Sequence, residues 1–329
     1  ESFADLVREY RDHVAEVYFP WGAMPSGRAP LSVRGGYTDW SAQARQEADL
    51  LALRGMGVEL DLLVNAACYG GRSLSQSLAN EVRSLLDHLD GLVGGVQTVT
   101  TASLAVAHTV KRHAPGVRVR ASVNMRIGTP QAMEAVAELF DDVCVQRDYN
   151  RDLARLRRLK AWADARGKRL VLLANSGCLR FCPGQAFHDN LVAHDREIDE
   201  TRVLPDWTPH VCWALYRRRE AWPALLQATW IRPEDLHHVD GLAARVKLAT
   251  RMHSRPRLVL EAYSRRRFHG NLLELFEPGF ARQWAPWILD NDRFPADWFA
   301  RTSTCAYTCE TCGYCARVLD AALRSCTAE

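Results

Sequence analysis

Lysine is nearly missing from this chain. Of its 42 basic residues only Lys111, Lys160, Lys168 and Lys247 are lysine and the rest are arginine, which reads as genome composition. Neither charge dominates: 42 Lys+Arg against 39 Asp+Glu leave a formal net charge of +3 over 329 residues, too balanced to announce a nucleic-acid binder. No run approaches the roughly 18 apolar residues that span a bilayer. The first residues carry neither a basic n-region nor an apolar h-region, so the expectation is a soluble, cytoplasmic chain with no membrane partner. Gly-x-Ser-x-Gly and His-Glu-x-x-His are both absent, and no internal repeat stands out. With 47% hydrophobic and 25% charged residues, the chain can bury a large core.

Short β-rich runs alternate with helical segments through most of the sequence. Strands are expected at 14–19, 58–64, 95–100, 117–123, 142–146, 169–174, 227–230 and 244–248, with helices near 42–54, 78–89, 103–112 and 152–165. Thr129 and Pro130 fit the N-cap and first position of another helix. Eight such units predict an α/β fold, a TIM-like (β/α)8 barrel over 1–255, with a doubly wound open sheet as the competing arrangement. A cysteine-containing loop interrupts it at about 175–212. From 256 to 329 the pattern changes to a helical extension: a helix at 258–266, a stretch with Trp284, Trp287 and Trp298, then a cysteine cluster.

Cysteine is what the sequence has in quantity, with ten residues. Cys305, Cys309, Cys312 and Cys315 form a CxxxCxxCxxC run whose three short intervals suit a 4Fe-4S cluster, since such clusters take all their protein ligands as thiolates. Zinc is the alternative at Cys305–Cys315, although structural zinc sites usually join two cysteine pairs across a longer spacer. A second constellation is Asn175-Ser176-Gly177-Cys178-Leu179-Arg180-Phe181-Cys182-Pro183, followed by His188. Cys178 and Cys182 supply two ligands, and Cys68 after the second strand and Cys212 after the loop are candidates for the others. Both can equally be buried apolar residues. Cys144 and Cys326 are read as structural.

Barrel chemistry gathers at the C-terminal ends of strands, which singles out further residues. Asp148 as a proton carrier and Arg147 as a holder of a substrate carboxylate compete with the reading that 147–152 merely caps a helix through Asn150 or Asp152. Pro233, Glu234 and Asp235 read as a helix start, which leaves Arg232 as the residue of interest. Lys247 and Arg251 flank the last strand and suit an anionic substrate, or are simply solvated. His188 can act as an acid–base group, as a ligand, or as a residue that orients a ligand from behind. His237 and His238 are read as surface residues. Arg217–Arg219 and Arg265–Arg267 can meet phosphates if the substrate is RNA, but a solvated helix face suits the charge balance better.

Taken in order, 175–183 with His188, Trp230–Leu236, Val246–Arg251, Ala262-Tyr263 and Gly270–Leu273 resemble the peptidase U32 family. The resemblance starts at Glu16-Val17-Tyr18 and Ser26-Gly27-Arg28 and reaches the terminal cysteine run. The family was named for a collagenase-like peptidase activity. Its better-understood members resemble iron–sulfur-dependent, oxygen-independent hydroxylation proteins acting on ubiquinone precursors, tRNA or ribosomal RNA, with prephenate linked to the RNA-acting ones as oxygen donor. The resemblance implies a TIM-like barrel with a 4Fe-4S cluster on four cysteines, which map to Cys178 and Cys182, then Cys212 and Cys68. The chain departs from the commonest pattern in the interval between its first two cysteines and in the basic motif of the eighth strand.

The expectation is thus an iron–sulfur enzyme carrying one or two 4Fe-4S clusters and hydroxylating a small biosynthetic intermediate without oxygen. Asp148, His188, Arg232 and Lys247 are its catalytic candidates, and Arg147, Arg232, Lys247 and Arg251 its substrate-binding ones. Three alternatives remain: an RNA-modifying hydroxylase on the same scaffold, a U32-type peptidase, and a metal-stabilised binding subunit that needs a partner protein.

Overall fold

The computed structural model describes residues 2–22, 24–26, 33–34, 37–194, 204–205 and 207–326. Gly27 and Arg28, and part of the expected 175–208 loop, lie outside the described residues.

Seven strands follow one another in a single sheet: β1 (Glu16–Phe19), β2 (Glu59–Leu63), β3 (Thr98–Thr101), β4 (Arg118–Ala121), β5 (Asp142–Cys144), β6 (Arg169–Leu173) and β7 (Arg245–Lys247). Their registered pairs run parallel, with Val99 opposite Val119 and Leu172 opposite Val246. A parallel sheet needs crossovers, and helices Trp40–Gly55, Gln76–Val93, Leu104–His113 and Leu153–Asp164 lie between the strands. Each starts where the sequence offers a cap: the side chains of Asp39, Ser75, Ser103 and Asp152 accept from the N–H groups of Ala42, Leu78, Val106 and Arg155. Strands β2, β3 and β6 are buried on both faces, as covered parallel strands are, whereas β7 is partly exposed. This α/β architecture fits a TIM-like fold.

The expected seventh strand, 227–230, is not one, while the eighth is present as β7. Pro223 opens a helix at Pro223–Gln227, and the apolar residues after it are buried without joining the ladder. The Trp230 indole N–H turns back to the Leu225 carbonyl at 2.8 Å. A short apolar run cannot separate a strand from a buried helical turn, and the proline decides it here.

The chain divides into two compact units. The first comprises Glu1–Met125, Ala132–Val143 and Gln185–Trp207. Its sheet carries a buried ionic network. Arg120 donates to Glu16 at 2.5 and 2.9 Å, to Asp61 at 3.0 Å and to Asp142 at 3.3 Å, while the Thr100 hydroxyl donates to Asp61 at 2.7 Å. Burial alone would lower the Arg120 pKa, but Asp61, Glu16 and Asp142 together raise it.

The second unit comprises Arg126–Gln131, Cys144–Gly184 and Thr208–Glu329. It holds β6, β7 and an aromatic core in which Trp222 stacks on Trp284 at 4.1 Å and Trp230 on Trp298 at 5.9 Å. An antiparallel pair, β8 (Trp287–Leu289) and β9 (Leu323–Ser325), ties its last segment down. Among the described residues no helix is long and apolar enough to cross a membrane.

Candidate functional site

The loop that leaves β6 is clamped from its first residue. Asn175 is fully buried; its amide donates to the carbonyls of Ala249 at 3.0 Å and Leu275 at 2.9 Å and accepts from the Ala249 N–H at 2.7 Å. Two glycines then permit close approach. A Cβ at Gly177 would lie 2.5 Å from the Pro278 carbonyl oxygen, and one at Gly184 would lie 2.5 Å from Val211 Cγ2. The second approach lets helix Val211–Leu215, which carries Cys212, close on the Cys182 end of the loop.

The Cys212 thiol there is within electrostatic reach of two others. Burial, then Cys178 and Cys182, push the Cys212 thiol up to about 12. Cys182 is also raised, by burial and by Cys178, while an N–H from Gly184 and the charge of Arg147 act the other way. Tyr216 completes the group. Its phenol is raised by burial, Cys212, Cys178 and Cys182, and its buried hydroxyl has no hydrogen-bond partner. Asp148 holds the loop in place: Oδ1 accepts the Phe181 N–H at 2.5 Å and Oδ2 accepts the Gln146 amide at 2.9 Å.

The terminal cysteines form a second group in the same unit. Burial raises the Cys315 thiol against the pull of Arg151, and Cys309, Cys305 and Cys312 raise it further. Cys309 is raised by burial and Cys305, with Arg180 opposing. Cys309 and Cys312 are exposed, whereas Cys305 and Cys315 are half-buried. The Tyr307 N–H reaches Cys305 Sγ at 3.4 Å.

The remaining candidates are placed differently. Cys68 and His188 belong to the first unit; the Gly70 N–H meets Cys68 Sγ at 3.3 Å, and His188 sits in helix Gln185–Ala193. Arg232 is bound at two points by Asp235, at 2.8 and 2.9 Å, and lies 5.0 Å from the Phe294 ring centre. Pro233 opens a 3-10 turn, Pro233–Val239, as the helix-start reading of its neighbours required. Lys247 ends β7, and Arg251 lies in the turn beyond. Asp152 caps its helix, donation coming from the Arg155 N–H at 2.9 Å. His237 is exposed as expected, but His238 stacks on Phe299 at 4.1 Å.

The donor set fits a thiophilic group more extended than one ion. All ten cysteines are free of disulfides. Backbone N–H groups point at the sulfurs of Cys68, Cys182 and Cys305, as they do around iron–sulfur ligands. Among the described residues, no three or more His, Cys, Asp or Glu side chains are gathered as around a single metal ion. A 4Fe-4S cluster spreads its thiolates over four irons and asks for no such point. The sequence reading missed Tyr216, Arg151 and Arg180; only the position of Arg180 between two cysteines hinted at any of them.

No protein-family model matches the chain. Over 275 residues, 81% of this chain and 78% of its counterpart, it is 23% identical to a Methanocaldococcus jannaschii protein named "Uncharacterized protease MJ1657". A solved structure, that of the U32 peptidase Mk0906, aligns with 70% of this chain and 83% of its own, at 18% identity and a TM-score of 0.49. The chain is similar to proteins named as a protease and as a U32 peptidase, and its motifs resemble the peptidase U32 family.

Proposed function

We propose that this chain is a U32-type enzyme in which Cys178, Cys182 and Cys212, all in the second unit, hold a 4Fe-4S cluster. The supporting observation is that Gly184 brings the Cys182 end of the loop against the helix carrying Cys212, with none of the three thiols in a disulfide and the Tyr216 hydroxyl without a hydrogen-bond partner among the described residues. Such a cluster supplies an iron that takes an oxygen ligand or passes single electrons. The chain's own residues supply the rest. Arg147, beside Cys182, attracts an anionic substrate group. The Tyr216 hydroxyl holds a proton in a dry pocket, and Asp148 fixes the loop through the Phe181 N–H. With both oxygens engaged, Asp148 positions rather than transfers protons.

The reaction proposed is oxygen-independent hydroxylation of a small anionic intermediate in the cytoplasm, with prephenate as oxygen donor. A small substrate is favoured over RNA because the arginine clusters are spent locally. Arg266 pairs with Asp240 at 2.6 Å, Arg265 with Glu261 at 2.9 Å, and Arg219 lies over Trp287 at 4.0 Å. Anaerobically purified protein is expected to contain iron and acid-labile sulfide, and Cys178→Ala to lose about four irons. Wild-type protein that holds no iron, or that hydrolyses gelatin equally well after iron is stripped, contradicts the proposal. Salt-sensitive retention of RNA overturns the choice of substrate.

A further inference from the structure

We infer that Cys305, Cys309, Cys312 and Cys315 form a separate 4Fe-4S site whose negative charge is held by two arginines, Arg151 and Arg180. The site does not depend on the function proposed above, because none of its ligands is shared with Cys178, Cys182 and Cys212.

Arg151 carries the argument. It is 3% exposed, and its donors reach only neutral acceptors: the carbonyls of Leu226, at 2.9 Å, and Ala228, and the Thr302 hydroxyl at 3.3 Å. Trp230 and Trp298 flank the guanidinium, with ring centres at 5.4 and 5.0 Å, and Nε has no partner. Asp235, the acid it feels, is bound at both oxygens by Arg232. Among the described residues no carboxylate hydrogen-bonds this buried cation, and the Trp298 ring against it stacks on Tyr314, the neighbour of Cys315, at 6.1 Å.

Arg180 brings a second cation to the same place. Its buried Nε also lacks a partner, its guanidinium lies 3.9 Å from the Tyr307 ring centre, and it acts on both Cys309 and Arg151. Glu310, beside Cys309, is an exposed residue. The backbone is strained where these parts meet: Phe181 and Tyr307 adopt φ values of 49° and 65°, the left-handed region that bulky residues avoid, and their rings touch edge-on at 6.0 Å. Two guanidiniums brought near each other, one of them buried and bonded only to neutral acceptors, are unfavourable without an anion.

Ligation removes that conflict. Four Cys S–H protons leave to solvent as four Fe–S bonds form, and a [4Fe-4S]2+ core with four thiolates carries about two negative charges, opposite two guanidiniums. Zinc on four thiolates has the same charge, so metal analysis must separate the two.

The test is anaerobic reconstitution of the full chain with equal amounts of ferrous and ferric iron and with sulfide, which together make the [4Fe-4S]2+ core, followed by iron, sulfide and zinc analysis and a dithionite titration monitored by paramagnetic resonance. The double variant Cys309→Ser/Cys312→Ser is expected to lose about four irons and one resonance signal while keeping the signal that Cys178→Ala abolishes. Arg180→Met is expected to move the midpoint of the terminal signal to more negative potential, and Arg151→Lys, which keeps the charge, to leave it near wild type. Wild-type iron content in the double variant, zinc at the terminal run, or an unmoved midpoint in Arg180→Met would overturn the assignment. Iron that vanishes only with the terminal cysteines would instead refute the first site and leave this one standing.

Discussion

Arg120 and Arg151 are both buried guanidiniums, one in each unit, and the protein treats them in opposite ways. Arg120 is enclosed by Glu16, Asp61 and Asp142, which hold its charge more firmly than water would. Arg151 has backbone carbonyls, a hydroxyl and two indole faces, and burial pulls its pKa below the ordinary arginine range. The first network is closed and needs nothing further. Among the described residues the second has no anion hydrogen-bonded to it, and metal-bound thiolates at the terminal cysteines would supply one. Structural and functional charge thus differ in what completes them.

That contrast is broken most directly at Arg120. Arg120→Met leaves buried carboxylates without their cation and is expected to cost about 3–5 kcal/mol in urea unfolding. A loss below about 1 kcal/mol would mean that the network is not closed as described. Next in size is Gly184→Ala, whose Cβ would press on Val211 Cγ2. It is expected to cost about 1–3 kcal/mol and to remove the iron held near Cys182 while sparing the terminal iron. If both iron pools fall together, the two thiol groups are one site. Removing only the Tyr216 hydroxyl, as Tyr216→Phe, is expected to preserve iron content and stability while lowering turnover, because that oxygen has no partner to lose. An unchanged rate would remove Tyr216 from the chemistry.

The smallest effect belongs to the surface. Arg266 holds the Asp240 carboxyl below its usual range, so this pair's contribution is complete above the unfolded pKa of 3.8 and disappears as pH falls through the lower folded value. Asp240→Asn should flatten only that acid limb of the stability profile. A change near neutral pH would contradict the pairing.

Seven of the strands were legible as short β-rich runs alternating with helical segments, and Asp152 announced its helix by cap chemistry. Residues 227–230 were misread since burial gives a strand and the irregular segment that follows helix Pro223–Gln227 the same apolar composition. The thiol groups were visible as spacing, but their counter-charges were not. Arg151 reads as one more arginine in an arginine-rich chain, and nothing local says that its partners are the carbonyls of Leu226 and Ala228 and the ring of Trp298. The Arg120 network left a fainter trace, Asp61 and Arg120 being charged residues inside otherwise apolar strands. Arg232 stood out by its place in the sequence, and Asp235 three residues on accepts from one edge of its guanidinium, through Nε and one Nη.

The central claim is that the thiols of the second unit hold inorganic iron in two places. Counting iron, sulfide and zinc in protein isolated without air from iron-replete cells tests it directly. About eight irons and eight sulfides per chain are expected, falling to about four of each in Cys178→Ala. A colourless, folded protein holding zinc or no metal would contradict it.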